Sequence, residues 1–146
     1  MIQVTYPDAE FRRKAERGKE LIFCIIRKRW LILTEEEWVR QNFVSFLIQI
    51  AGYPAAYIAV EKGLQLHGLK KRFDILVYDS AHRPWMLVEC KEPAQVLSEQ
   101  VLLQVLGYNL SIPVPYLVIT NGSRTSAWKN EAGALRQLEK LPAWEK

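Results

Sequence analysis

The sequence predicts an α/β domain: a central mixed β-sheet flanked by helices, behind a basic N-terminal arm and a β-hairpin. Three observations carry this. Apolar residues recur at helical spacing in segments 38–50 and 96–110. Runs 73–78, 85–91 and 115–120 are nearly continuous in apolar character and have the length of buried strands. These patterns alternate along the chain, as layered α/β folds require. With 146 residues there is enough chain for one domain and too little for two ordinary ones, so residues 1–146 are expected to form one unit.

Residues 1–18 are polar, carry Pro7 and Gly18, and predict an extended arm. Leu21 to Ile26 and Trp30 to Leu33 are apolar runs split by Arg27, Lys28 and Arg29, and their β-branched and aromatic content predicts a hairpin. Thr34-Glu35-Glu36-Glu37 fits a capping box, in which the threonine hydroxyl and the Glu37 carboxylate satisfy free amides at a helix start. The helix then runs on Trp38, Phe43, Phe46, Leu47 and Ile50 until Gly52 and Pro54 stop it. A strand is predicted over 56–61, with Gly63 and Gly68 punctuating the stretch after it. Strands 73–78 and 85–91 flank the turn-rich Asp79-Ser80-Ala81-His82-Arg83-Pro84 and should pair as a hairpin. A helix over 96–110 lies between Pro93 and Pro113, and strand 115–120 is closed by Asn121-Gly122. A short strand near Ala127-Trp128 and a helix over 131–141 complete the prediction.

At 49% hydrophobic and 25% charged residues, the composition excludes a disordered chain or a fibre. The longest fully apolar stretch, Leu21 to Ile26, is far below the roughly 18 residues of a membrane span. Asp8, Glu10 and Glu16 interrupt the N-terminus, which does not read as a signal peptide, and a cytoplasmic location is expected. Cys24 and Cys90 lie far apart and read as free buried thiols; with only His67 and His82 beside them, no close-spaced zinc ligand pair can be written. Charge is unevenly spread. Between Arg12 and Arg29, eight basic residues face two acidic ones, a local net of +6 within a total of +4. Such a field attracts polyphosphate or acidic partners, although from charge alone a solvated, partly disordered basic arm is the favoured reading.

The hairpin carries the chemistry. With its turn centred between Ala81 and His82, Tyr78 faces Trp85, Leu76 faces Leu87, Asp74 faces Glu89 and Arg72 faces Lys91. Opposed residues share a face with Cβ atoms about 4.5–5.5 Å apart, so two carboxylates meet at the rim of an apolar sheet, beside Lys91 and opposite in direction to Cys90. Opposed like charges are destabilising. Three compensations are open: one carboxyl keeps a proton, Arg72 and Lys91 neutralise the pair, or a divalent cation binds.

Asp74, fourteen intervening residues, then Glu89-Cys90-Lys91 closing an apolar strand resembles the active-site motif of the PD-(D/E)XK nuclease superfamily, with Phe73 in the place of the proline. Gln104-Val105-Leu106-Gly107-Tyr108 resembles the Q-x-x-x-Y element of its RecB-like and type I restriction members. Leu33 to Gln41, Val88 to Lys91 and Pro115 to Gly122 are similar to the N-terminal domain of type I restriction enzyme R subunits. E-x-K alone is a weak signal; acid, E-x-K, Q-x-x-x-Y and strand in this order are much stronger.

The resemblance implies a restriction-endonuclease-like core and Mg²⁺-dependent hydrolysis of DNA phosphodiesters, with Mn²⁺ as a substitute. By that analogy Asp74, Glu89 and the Cys90 backbone carbonyl hold Mg²⁺, Lys91 orients or deprotonates the attacking water, and Gln104 reaches toward either. Glu61 is the candidate for an extra acidic ligand, with Glu37 its rival and a plain surface role equally open. Arg72, Lys71, Lys70 and Tyr108 are candidates for nucleic-acid contact, Tyr108 also reading as core. The 146 residues contain no G-x-x-x-x-G-K-[ST] loop, so any motor, like other restriction subunits or a second copy, would be a separate partner. The alternative function is a catalytically silent nucleic-acid-binding module of the same fold.

Overall fold

A computed structural model describes residues 2–8, 10–66, 69–109, 114–132 and 134–144, with the side chains of 64–66, 69–71 and 107–109 outside that description. The described residues form two sheets. Strands β1 (Arg13–Glu16), β2 (Lys19–Cys24) and β3 (Arg29–Ile32) form an antiparallel sheet in the order β1-β2-β3. The second sheet has six strands: β4 (Ile58–Leu66), β5 (Leu69–Tyr78), β6 (Pro84–Cys90), β7 (Tyr116–Thr120), β8 (Thr125–Glu131) and β9 (Ala134–Leu138), paired in sequence order. All its pairings are antiparallel except β6 with β7, which the helix α2 (Glu99–Asn109) bridges as a crossover.

Helix α1 (Glu35–Gln49) packs on one face of the large sheet, where Val39, Phe43, Val44 and Leu47 meet Ile75, Val77, Met86 and Val88. Leu97 and Leu106 cover the other face at Phe73, Leu76, Leu87, Leu117 and Ile119. The near-continuous apolar runs of β5, β6 and β7 result from this: a strand covered on both sides needs apolar residues at even and odd positions alike. Thr34 caps α1, its Oγ1 accepting from the Glu37 amide at 3.0 Å. Only half of the expected capping box forms, because the Glu37 carboxylate turns to Arg27, Arg40 and Gln41. Past β7, Gly122 sits at φ +93°, a left-handed conformation, with Val39 3.4 Å from where a Cβ would lie.

The β5–β6 hairpin keeps the expected register, with Leu76 opposite Leu87 and Val77 opposite Met86. It then shifts: Tyr78 pairs with Pro84 instead of Trp85, which bulges. Asp79 fixes the turn, its Oδ1 accepting from the amides of Ala81 at 2.9 Å and Arg83 at 3.0 Å.

One expectation is corrected and another sharpened. Segment 131–141 is a strand ending and a new strand, Glu131 pairing with Ala134 and Asn130 with Leu135, while Ala132 turns at φ +54°. Helix-forming composition loses there to hydrogen bonding along the free edge of β8. The expected extended arm over 1–18 is tied down at two points among the described residues: Ile2 is buried and its amide donates to Thr125 O at 2.8 Å, and 13–16 form a strand paired with β2. Gly63 lies within β4 and ends nothing; His67, Gly68 and Pro113 lie outside the described residues. No helix among the described residues is long and apolar enough to cross a membrane.

Candidate functional site

The pairing registers place three carboxylates on one line across neighbouring strands. The register that pairs Val60 with Ile75 and Lys62 with Phe73 leaves Glu61 level with Asp74. That of Ile75 with Val88 carries on to Asp74 level with Glu89. At this line the sheet is irregular. Neither the Glu61/Asp74 nor the Asp74/Glu89 rung is part of the regular ladder, and Glu61 adopts φ +51°, a left-handed backbone uncommon for a side-chain-bearing residue. Phe73 and Leu76 share one apolar cluster although three residues apart, so the alternation of β5 slips between them.

Asp74 is held by both oxygens. Its Oδ2 accepts from the Cys90 amide at 2.8 Å, tying the acid to the E-x-K strand, and its Oδ1 accepts from Arg40 Nη2 at 2.9 Å. Arg40 is buried on α1, and its guanidinium also meets Glu36 at 2.9 Å, Glu61 at 3.5 Å and Glu37. Arg27, in the turn between β2 and β3, joins from the small sheet, bonding Glu61 at 3.2 Å and Glu37. Gln41 completes the shell of Glu37 at 2.8 Å. Lys91 Nζ stands 3.8 Å from Glu89 Oε1.

Five carboxylates therefore face three cations. Burial, then the field of Asp74, pushes the Glu89 carboxyl up to about 7, Lys91 offsetting only part of this. Glu36 is raised by the same two causes, in the same order. Although burial works against its charge, hydrogen bonding to Asp74 and attraction by Asp74, Glu37 and Glu61 hold the Arg40 guanidinium well above its usual range. Burial also raises the Cys90 thiol, which lies in the core under α1.

Asp74 and Glu61 meet at Arg40, while Glu89, within the field of Asp74, stands beside Lys91. Arg72 is not the neutralising base: it pairs with Gly63, is exposed, and its Nε donates to the Glu61 carbonyl at 3.2 Å. Arg40 supplies that charge instead, because α1 crosses the sheet at the irregular rung. Gln104 is exposed on α2, with no hydrogen bond to Lys91 among the described residues, whereas Val105 and Leu106 line the apolar floor shared with Glu89. The side chains of Lys70, Lys71 and Tyr108 lie outside the described residues. Sequence reasoning missed Arg40, Glu36 and Arg27. The signal for the first two was present: Glu36, Glu37, Arg40 and Gln41 recur three and four residues apart beside the apolar stripe of α1.

A divalent cation suits this donor chemistry. Among the described residues no three His, Cys, Asp or Glu side chains suffice to hold one alone. Asp74 and Glu89 would need main-chain or water oxygens beside them, a hard all-oxygen set of the kind Mg²⁺ prefers. Burial raises Glu89 first and the field of Asp74 second, and a bound cation would offset the second of these.

A family model described as type I restriction enzyme R protein N terminus (HSDR_N) matches residues 35–142. Among solved structures, a chain from a cryo-EM structure of a DrdV–DNA complex is similar at 21% identity and a TM-score of 0.48. The match covers 71% of this chain and 10% of that one, so the chain spans about a tenth of its length. No curated protein sequence matches.

Proposed function

This chain belongs to the family of type I restriction enzyme R protein N termini, and from that premise we propose that it is a Mg²⁺-dependent nuclease domain hydrolysing DNA phosphodiester bonds. The observation that carries this reading is the hydrogen bond from the Cys90 amide to Asp74, which clamps one carboxylate against the strand bearing Glu89 and Lys91. Asp74 and Glu89, with the Cys90 carbonyl, would hold the ion, and Glu61 is in reach of the same cluster through Arg40 and Arg27. When bound, Mg²⁺ supplies a Lewis acid for the phosphate and a lowered pKa for a water nucleophile. Lys91, a compact donor 3.8 Å from Glu89, orients the water and offsets charge gathering on the phosphate. Arg40 keeps Asp74 and Glu61 from splaying apart.

A second reading, a catalytically silent nucleic-acid-binding module, draws on one specific contact: the Arg40 guanidinium already takes Asp74 Oδ1. Plasmid and single-stranded DNA incubated with Mg²⁺ or Mn²⁺ separate the two. Cleavage by the wild type, lost in Asp74→Ala and Lys91→Ala proteins that still fold, is the expected result. Undiminished cleavage by pure Lys91→Ala protein overturns the proposed chemistry. A melting temperature raised by Mg²⁺ in the wild type and unmoved in Asp74→Ala tests the ion site without reference to turnover.

A further inference from the structure

We propose that the outward face of the three-stranded N-terminal sheet is a platform for the phosphodiester backbone of DNA, separate from the residues that hold the ion. The inference rests on the nuclease reading for its choice of polyanion, and otherwise on the sheet itself. Register sets the two faces. Ile22 and Cys24 point inward and are fully buried. On the other face, Arg12 lies opposite Phe23, whose amide donates to Arg12 O at 2.9 Å; Lys14 lies opposite Leu21, and Phe23 opposite Trp30. Strand alternation adds Lys19 to this face.

The aromatic rings aim the cations. Phe23 and Trp30 meet edge to face at 5.4 Å. The Arg12 guanidinium lies 4.6 Å from the Phe23 centroid and 5.4 Å from that of Trp30, and the Lys14 ammonium 4.4 Å from Trp30. A cation over a ring face keeps its charge and its outward hydrogen bonds while giving up side-chain freedom, which prepares it for a phosphate. Arg12, Lys14 and Lys19 are all exposed; Glu16 lies opposite Lys19 across β1 and β2, but among the described residues neither Arg12 nor Lys19 forms an ion pair within 4.0 Å. Lys14 touches Glu16 at 3.1 Å in an ion pair open to solvent, which a phosphate can displace. The platform is joined to the acid cluster by its own covalent frame: the turn between β2 and β3 delivers Arg27 to Glu37 and Glu61. A strand held on this face is therefore held beside the cluster, and charge complementarity selects a polyanion, since Arg12, Lys14 and Lys19 share the face with Glu16 alone among the acidic residues of strands β1 to β3.

The test measures binding without cleavage. A fluorescent duplex DNA and, in parallel, a labelled polyglutamate are titrated in EDTA across NaCl concentrations with three proteins: wild type, Arg12→Gln/Lys14→Gln/Lys19→Gln, and the control Arg83→Gln/Lys129→Gln/Arg136→Gln, which loses equal charge elsewhere. The platform variant should bind at least tenfold more weakly at low salt, and its log affinity against log salt should flatten by about 2–3, the share of three phosphate contacts. The control should stay within about twofold of wild type. Equal behaviour of the two triple variants overturns the proposal, as does a loss confined to polyglutamate, which would identify an acidic protein partner instead. Should the triple variant melt early, Arg12→Gln and Lys19→Gln singly, each expected to flatten the slope by about 1, carry the same test. Because EDTA removes the ion, failure here leaves the Asp74→Ala cleavage result standing, and failure there leaves this one.

Discussion

Arg40 and Arg12 lie twenty-eight residues apart in the N-terminal third of the chain, yet one is buried among four carboxylates and the other lies exposed over two aromatic rings. The contrast shows what burial does to the same guanidinium. In the acid cluster, low dielectric and fixed partners make each charge indispensable to its neighbours, so the geometry is rigid and removal of one member is costly. On the small sheet, water screens every pair, so the charges hold little together and remain available to a ligand. Stability should therefore respond to changes in the first region, and salt-dependent binding to changes in the second.

The largest expected effect comes from removing Arg40. Arg40→Met keeps much of the side-chain volume but takes one of two guanidinium partners from the buried Glu37, leaving it Arg27 and Gln41, and unclamps Asp74. Breaking a buried ion pair from one side costs about 3–5 kcal/mol, which chemical denaturation would read directly. If Arg40→Met unfolds at the denaturant concentration of the wild type, the acid cluster is not a rigid, mutually dependent unit.

Glu89 gives the next largest effect, and it depends on pH. Its carboxyl titrates near 7 in the folded protein against 4.5 ordinarily. The folded state therefore holds a proton that the unfolded state has released, and stability falls as pH rises through that interval, then levels off. In EDTA, the wild type should lose stability between about pH 5 and 7, up to about 3 kcal/mol before solvent screening reduces it. Glu89→Gln should flatten the profile and be the more stable protein at pH 8. A wild-type curve that instead rises across this window would show that Lys91 outweighs burial and Asp74.

The hairpin register could be read from sequence because the turn residues Asp79 to Pro84 mark where the chain reverses, and a turn centred between Ala81 and His82 sets Leu76 opposite Leu87. The capping role of Thr34 was legible for a similar reason: it depends on neighbours within three residues. What escaped depends on distance in sequence. Arg27 and Arg40 look like solvated charges until β4 and β5 bring Glu61 and Asp74 against them. Glu37 fits its capping role so well locally that its long-range partners could not be foreseen. Segment 131–141 misled in the opposite sense, since helix-favouring Leu, Glu, Lys and Gln outnumber the one hairpin cue, Ala132-Gly133.

Thr34 sharpens the comparison from a third side, being exposed yet tied to α1. Thr34→Ala removes the acceptor for the Glu37 amide and should cost about 1 kcal/mol. It should also loosen the first turn that presents Glu36 and Glu37. A matching Thr34→Ser protein, which keeps the hydroxyl, should recover most of the stability; if it does not, the threonine acts through packing and not through its cap.

The smallest effect on stability is expected where charge is most concentrated. Lys14 pairs with Glu16 at 3.1 Å, but both side chains are about half exposed, and an exposed pair contributes roughly 0–1 kcal/mol. Its contact with Trp30 adds a similar amount at such a site. Lys14→Gln also removes one charge from a region of net +6, which relieves repulsion with Arg12 and Lys19 and offsets part of that loss. The net change should fall within about 0.5 kcal/mol by denaturation, at either low or high salt. A loss of several kcal/mol would place the Lys14 ammonium in the same category as the Arg40 guanidinium, a structural charge, and the small sheet would then have no spare cations to offer a phosphate.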